Sequence, residues 1–378
     1  MKDRKMIYLD YSANTPASEN VLETYIKTER TYIGNANSAH FSGFAAKARQ
    51  DEITENVAAL LNVGKDEIIY TSGASESNNL AIKGIARSSR HIGKHIITTP
   101  LEHPSVSAPL TFLQEQGYEV DMVRIGTDGK IDVDDLRSLM RHDTVLLTVS
   151  AVDSELGVIQ PINEIRDALK DYPHCSLHVD FTQAVGKIPC DFSKADTASF
   201  APHKFYGLGG SGALYKKSGL VIEPLIHGGS GTTVYRSGTP TLALNAALEE
   251  ALRDAVEKQG ERYEKVQRLN SLLREKLSRY DKVRINSPEG AIPHILNISA
   301  SGIKGSDFRD ELSKRGICVS VKTACSTDSL PSRAVFAVSR DRKNALSSFR
   351  ISLSHITSED EIECFLKEFD AIYREKAK

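Results

Sequence analysis

The stretch EIIYTSGASESNNLAIKGIAR, residues 67–87, changes its period halfway along. Its opening EIIY is a short apolar run of the kind that forms a buried strand; Ser72-Gly73 is a turn, and from Ala74 the apolar residues return at helical spacing. The same rhythm continues to Val221, through HIIT (95–98) and SVSAPLTFLQEQ (105–116), TVLLTVSAV (144–152) and INEIRDALKDY (162–172), then LHVDFTQ (177–183) and GALYKK (212–217). Short strands alternating with amphipathic helices imply an α/β fold, with helices laid on a mostly parallel sheet.

Outward from that region the pattern changes twice. Leu244 to Tyr280 is a charged run of good helix formers, read as a helical bridge with Gly260 as its main interruption. Beyond Ser287-Pro288, HILNISAS, SDFRDELSKRG, ICVSV, FRISLS and EDEIECFLKEFDAIY alternate again, as expected of a smaller α+β domain. A chain of 378 residues exceeds the usual size of one core. The expected division is a large domain over 16–250 and a small domain built from 1–15 and 251–378.

Lys and Arg number 48 against 50 Asp and Glu, a net charge of -2, which gives no electrostatic reason to expect nucleic acid or a membrane surface as partner. The five cysteines are widely spaced and contain no Cys-x-x-Cys pair, so neither a disulfide framework nor a metal site is expected. The N-terminal MKDRKMIYLDYSANTP lacks the apolar core of a signal peptide, and no later segment is apolar enough for a membrane helix. A soluble protein of the reducing cytoplasm, acting on a small molecule, is the expectation.

Asp180 and Gln183 stand at the end of the apolar run LHVDFTQ, where ligands gather in open α/β sheets. Lys204 follows in SFAPHKFYGLGGSG (199–212). Singly, such an Asp is a turn or cap residue and such a Lys a solvated charge. Together they fit pyridoxal 5'-phosphate (PLP): its aldehyde needs an amine, and its pyridine nitrogen needs an acid to keep it protonated. The turn at Ser72-Gly73 and the helix start at Ala74-Ser75 offer free N–H groups and a helix dipole for the phosphate. Gly207 to Gly212 formally matches GxGxxG, but it precedes a strand where a dinucleotide fingerprint must follow one, so a Rossmann dehydrogenase is rejected.

These segments, with YLDYSANTP, GNANSAH, LEHPSV, SELGVIQPI, HGG, RSGT, TACS and FRISL, occur in an order and spacing that resembles the class V aminotransferase group over nearly the whole chain. Within it the chain is similar to the cysteine desulfurases of the branch serving iron-sulfur assembly and tRNA thiolation. The resemblance implies fold type I PLP architecture and a homodimer. It makes Lys204 the Schiff-base lysine and Asp180 the pyridinium partner, with His103 stacked on the ring and shuttling protons and Gln183 near the ring hydroxyl. Ala74, Ser75 and His203 would hold the phosphate, together with Thr239 from the partner subunit. Arg350 would anchor the carboxylate of L-cysteine, with Asn35 nearby, since a guanidinium offers two parallel donors to two carboxylate oxygens.

By the same resemblance Cys325 is the nucleophile that takes the substrate's sulfur as a persulfide, leaving alanine. It lies in VSVKTACSTDSLPSRAV, a polar stretch read as a loop. Cys318, Cys175, Cys190 and Cys364 are read as buried, inert thiols. The chain departs from the family at four positions. Ser320 to Cys325 lacks a glycine and gains Lys322, and Asp153-Ser154 replaces paired asparagines, so Ser154 stands where an amide reaches the ring hydroxyl. Ala201-Pro202 replaces Ser-Gly and removes a phosphate-binding hydroxyl. The alternatives are a selenocysteine lyase, another class V aminotransferase, or a weakly active sulfur-trafficking scaffold, and a sulfur-acceptor protein is the expected partner.

Overall fold

Thr144–Ser150 is buried at all 7 positions, as a strand covered on both faces must be. In the computed structural model, which describes residues 6–229, 233–322 and 330–376, it lies inside a 7-stranded sheet. The order is Ile68–Thr71, Gly212–Lys216, Thr197–Phe200, Ser176–Asp180, Thr144–Ser150, His95–Thr98, Glu119–Met122. The last five run parallel, whereas Gly212–Lys216 is antiparallel to both its neighbours. That reversal follows from chain length: residues 201–211, which link it to Thr197–Phe200, are too few for a covered parallel crossover. The mostly parallel α/β sheet expected from the sequence is present. Its edge strand Glu119–Met122 carries no alternation legible in EVDM, because no position in it is fully buried.

Helices cover both faces. Ala74–Ser88 buries Leu80, Ala81, Ile82 and Ile85, and it leaves the C-terminal end of Ile68–Thr71 through a single turn. The helical bridge divides at Lys258, into Leu242–Glu257 and Gln259–Leu277, and not at Gly260. Gly260 lies in the first turn of the second helix, where N–H groups have no intrahelical acceptor in any case and a glycine costs little. The division falls where the core changes, since Ala255 packs in the core of the large sheet and Val266 in a second core.

The second core surrounds a 3-stranded antiparallel sheet of Val283–Ile285, Ile295–Ala300 and Ser348–Ser352. Phe308 stacks on Phe349 and on Phe369 with ring centroids 4.9 Å apart. Ile7 and Leu9 join this core from the N-terminus, and Ile7–Tyr8 pairs in parallel with Ile317–Cys318. On the helix Glu359–Lys376, the face carrying Ile362, Phe365, Phe369 and Ile372 turns inward. Cys364 therefore faces solvent, which corrects its reading as a buried thiol. No described helix is long and apolar enough to cross a membrane.

Candidate active site

The parallel strands all end on one side, and their C-terminal residues or the turns just beyond them open into a cavity of about 370 Å³. A volume of this size suits a cofactor or small metabolite. Ser150 and Asp180 end two adjacent strands, Lys204 follows Thr197–Phe200 on the turn Pro202–Lys204, and His103 follows His95–Thr98. Ala74, Ser75, Ser154, Gln183, His203 and Arg350 complete the set of sequence-expected residues that line it.

Lys204 is aimed by backbone. Its Nζ donates to the carbonyls of Ser12 (2.8 Å) and Ala13 (2.6 Å), contributed by the N-terminal segment YLDYSANTP. Asp180 takes one N–H on each oxygen, from Asn78 Nδ2 at 2.8 Å and from the backbone of Thr182 at 2.9 Å. Asn78 is itself fixed, because its Oδ1 meets Ser199 Oγ and, at 2.9 Å, His178 Nε2. His178 is buried between Asn78 and Thr197, and burial pushes it down to about 4. Sequence reasoning missed Asn78; its only signal was its place one turn into the helix that starts the cradle.

His103 caps the helix Pro104–Glu115. Its Nδ1 accepts from the backbone N–H of Ser105 at 3.1 Å, so the neutral ring carries its proton on Nε2. Burial lowers its basicity, Asp180 partly restores it, and the cations Lys204 and Arg350 lower it further. The turn that bears it is pinned by Glu102, which accepts from Thr99 Oγ1 (2.7 Å) and from the backbone of Ser150 (3.0 Å). Burial pushes Glu102 up to about 7. His203 is likewise driven down by burial, and by Lys204 beside it, to about 4, leaving a neutral ring with one N–H to donate.

The anion cradle is steric as well as electrostatic. Gly73, at φ 153°, leads into the 15-residue helix Ala74–Ser88. A Cβ on Gly212 would stand 2.6 Å from Gly73 Cα, so only glycine lets these two backbones approach. An amine, a carboxylate, an imidazole and a helix N-terminus in one cavity match the aldehyde, ring nitrogen, ring face and phosphate of PLP, and these residues fit that cofactor.

Arg350, only 2% exposed, reaches the cavity from the small sheet. One terminal nitrogen donates to the carbonyl of Ser154 at 2.7 Å and the other pairs with Asp10 at 2.8 Å. Nε has no partner among the described residues. Asp10 was not foreseen, because 340 positions separate it from Arg350. Arg350→Ala is expected to weaken cysteine binding by about 2 to 4 kcal/mol, since it removes a charge-assisted anchor from a desolvated site. Cysteine titrations followed by absorbance would measure this, and an unchanged affinity would assign the carboxylate to another residue.

Two expected residues lie elsewhere. Asn35 is exposed and closes its own turn, with Oδ1 accepting from the backbone of Asn37 at 2.9 Å. Thr239 lines a neighbouring crevice with Ser72 and Arg236. Cys325 falls in 323–329, outside the described residues. Of the other cysteines, Cys175 and Cys190 have thiols pushed up to about 12 by burial, and burial also raises Cys318.

Comparisons with known proteins agree with this geometry. A family model described as aminotransferase class-V matches residues 7–365. A NifS/IcsS protein homolog of Lactobacillus delbrueckii subsp. bulgaricus is 37% identical over 99% of this chain and 98% of its own length. A cysteine desulfurase IscS of Dictyoglomus turgidum is 35% identical over 95% of this chain and 92% of its own. A solved NifS-like protein superposes with a TM-score of 0.92 at 34% identity, covering 97% of this chain and 99% of that one.

Proposed function

The chain belongs to the class V aminotransferase family, and we propose that it works there as a PLP-dependent cysteine desulfurase, converting L-cysteine to L-alanine and retaining the sulfur as a persulfide on Cys325. The observation that carries this reading is the gathering of Lys204, Asp180, His103 and Arg350 around one cavity at the strand ends.

PLP, when bound, draws electrons from the substrate's Cα and so weakens its C–S bond. The protein's own residues do the rest. Arg350 orients the substrate carboxylate through the N–H groups that Ser154 and Asp10 leave unused. Lys204, whose amine would hold the cofactor's aldehyde, is placed by two carbonyls to take the α proton. His103, with its proton on Nε2, is the second group able to hold or release one. The Cys325 thiolate then forms an S–S bond to the substrate sulfur as the C–S bond breaks, its electron pair staying with Cβ; a proton delivered to Cβ and the return of one to Cα complete alanine. Asp180 answers the ring nitrogen; Ala74, Ser75 and His203 answer the phosphate. In a homodimer, Thr239 of a second copy would complete the phosphate site, and a sulfur-acceptor protein in the cytoplasm would discharge the persulfide.

Incubating the purified protein with PLP, L-cysteine and a thiol reductant should yield alanine and sulfide in equal amounts. A keto acid in place of alanine would make the protein an aminotransferase. Turnover confined to selenocysteine would make it a lyase, and no turnover beside stable partner complexes would make it a scaffold.

A further inference from the structure

A buried lysine lies four residues beyond Gln183, in the turns that follow the strand Ser176–Asp180. Lys187 is 7% exposed, and it forms no ion pair among the described residues. The charged and titratable groups around it are cationic or neutral: Lys204, Arg350 and Arg262, with His203, His294, His355, Tyr11 and Tyr206. Burial first, and then the charges of Lys204 and Arg350, push Lys187 down to about 7. An ammonium group buried without a carboxylate costs folding free energy, so its presence beside a reaction centre calls for a functional account.

Its hydrogen bonds supply one. Lys187 Nζ donates to Gln183 Oε1 at 2.5 Å, Gln183 Nε2 donates to the Ser12 carbonyl at 2.9 Å, and Lys204 Nζ donates to that same carbonyl at 2.8 Å. A side-chain amide can be turned either way round, and a backbone carbonyl can only accept. The Ser12 carbonyl therefore takes Nε2, and Lys187 Nζ donates to the Oε1 left facing it, which locks Gln183 between the two. That carbonyl has two lone pairs; with one taken by Gln183, it holds Lys204 from one direction only. Behind the two lysines lies a chamber of about 10 Å³, lined also by His294, Arg262 and Tyr206, with room for one water at most.

We propose that Lys187 is a positioning residue for the reaction, acting through Gln183 and the Ser12 carbonyl to set where Lys204 Nζ stands and how readily it gives up a proton. The proposal rests on Lys204 being the amine that holds the cofactor, but it does not depend on the identity of the substrate. In the holoenzyme, the pH midpoint of the cofactor's visible absorption reports the protonation of the nitrogen supplied by Lys204. In Lys187→Met, which keeps the volume and removes the donor and the charge, that midpoint should move up by about one pH unit. Lys187→Arg retains a donor-only cation and should stay close to the wild type. Gln183→Leu cuts the relay while leaving Lys187 in place, and it should move the midpoint in the same direction, so the test survives if Lys187→Met fails to fold.

A merely structural lysine would lower the melting temperature and leave the midpoint alone. A folded Lys187→Met, or a folded Gln183→Leu, with the wild-type midpoint overturns the proposal. A wild-type holoenzyme with no pH-sensitive visible band overturns the reading of Lys204 and this proposal with it. A shifted midpoint in a protein that does not turn over cysteine upholds the role of Lys187 and removes only the proposed activity.

Discussion

Lys204→Ala is expected to abolish the visible absorption that the bound cofactor acquires through this amine, and to lower cysteine turnover by at least about a thousandfold, while the chain still folds. The loss is large because one nitrogen serves twice, first in holding the cofactor and then in taking the α proton. The fold survives because little else depends on it. The carbonyls of Ser12 and Ala13 lose a donor each, yet the Ser12 carbonyl keeps Gln183 Nε2. A lost hydrogen bond of this kind costs about 0.5 to 1.5 kcal/mol. Far-ultraviolet circular dichroism should therefore match the wild type while the visible spectrum does not. An unchanged visible band would move the cofactor anchor to another lysine. Lys187, hydrogen-bonded to Gln183 of the cavity wall, would be the first to try.

How far the sequence foretold this site depended on where each side chain sits along its element. Asp180, Lys204 and the Ala74-Ser75 helix start each lie at or just beyond a strand end, so the strand rhythm put them on one side of the sheet, whereas His103, also just beyond a strand, was read only through the family motif. Arg350 reached the same cavity only through the family motif, because it comes from the other sheet and its aim depends on how two cores pack. Asp10, Ser12 and Lys187 were not legible. Asp10 and Ser12 act through hydrogen bonds to distant parts of the chain, and Lys187, though it bonds the nearby Gln183, is buried by packing that its local sequence does not show. Cys364 was misread for a related reason: a cysteine on an amphipathic helix takes the exposure of its face, which spacing from Ile362 and Phe365 would have revealed.

The position of the helical break is another instance. Glycine is the poorest helix former after proline, and composition alone put the interruption at Gly260. The packing decides otherwise. Arg262 and Lys258 both pair with Asp254 across the joint, the latter at 2.5 Å, and the chain bends where it leaves one core for the other. Tertiary contacts outweigh a propensity of about 1 kcal/mol.

Cys325→Ser is expected to separate the two halves of the chemistry. PLP binding and the spectral response to cysteine should persist, since Lys204, Asp180 and Arg350 are untouched, whereas alanine and sulfide should fall to background. Serine is close to cysteine in size, but its hydroxyl is not a competent nucleophile toward sulfur near neutral pH, whereas a thiolate is. The described cysteines offer poor substitutes. Cys175 and Cys190 would have to ionise against burial that holds them near 12. Cys364 faces solvent on the outer side of the helix Glu359–Lys376. Cys318 is the sharpest control, being half-buried with its thiol raised by burial and by Asp10, the residue that also holds Arg350. Cys318→Ser should therefore keep turnover within a few-fold of the wild type. Mass spectrometry of the wild type after brief exposure to cysteine should find a mass increase of one sulfur atom on the peptide that contains Cys325. Full activity in Cys325→Ser, or the added sulfur on Cys318 alone, would transfer the nucleophile's role to another thiol; alanine release without any enzyme-bound sulfur would mean that sulfur leaves directly, as selenium does from a lyase.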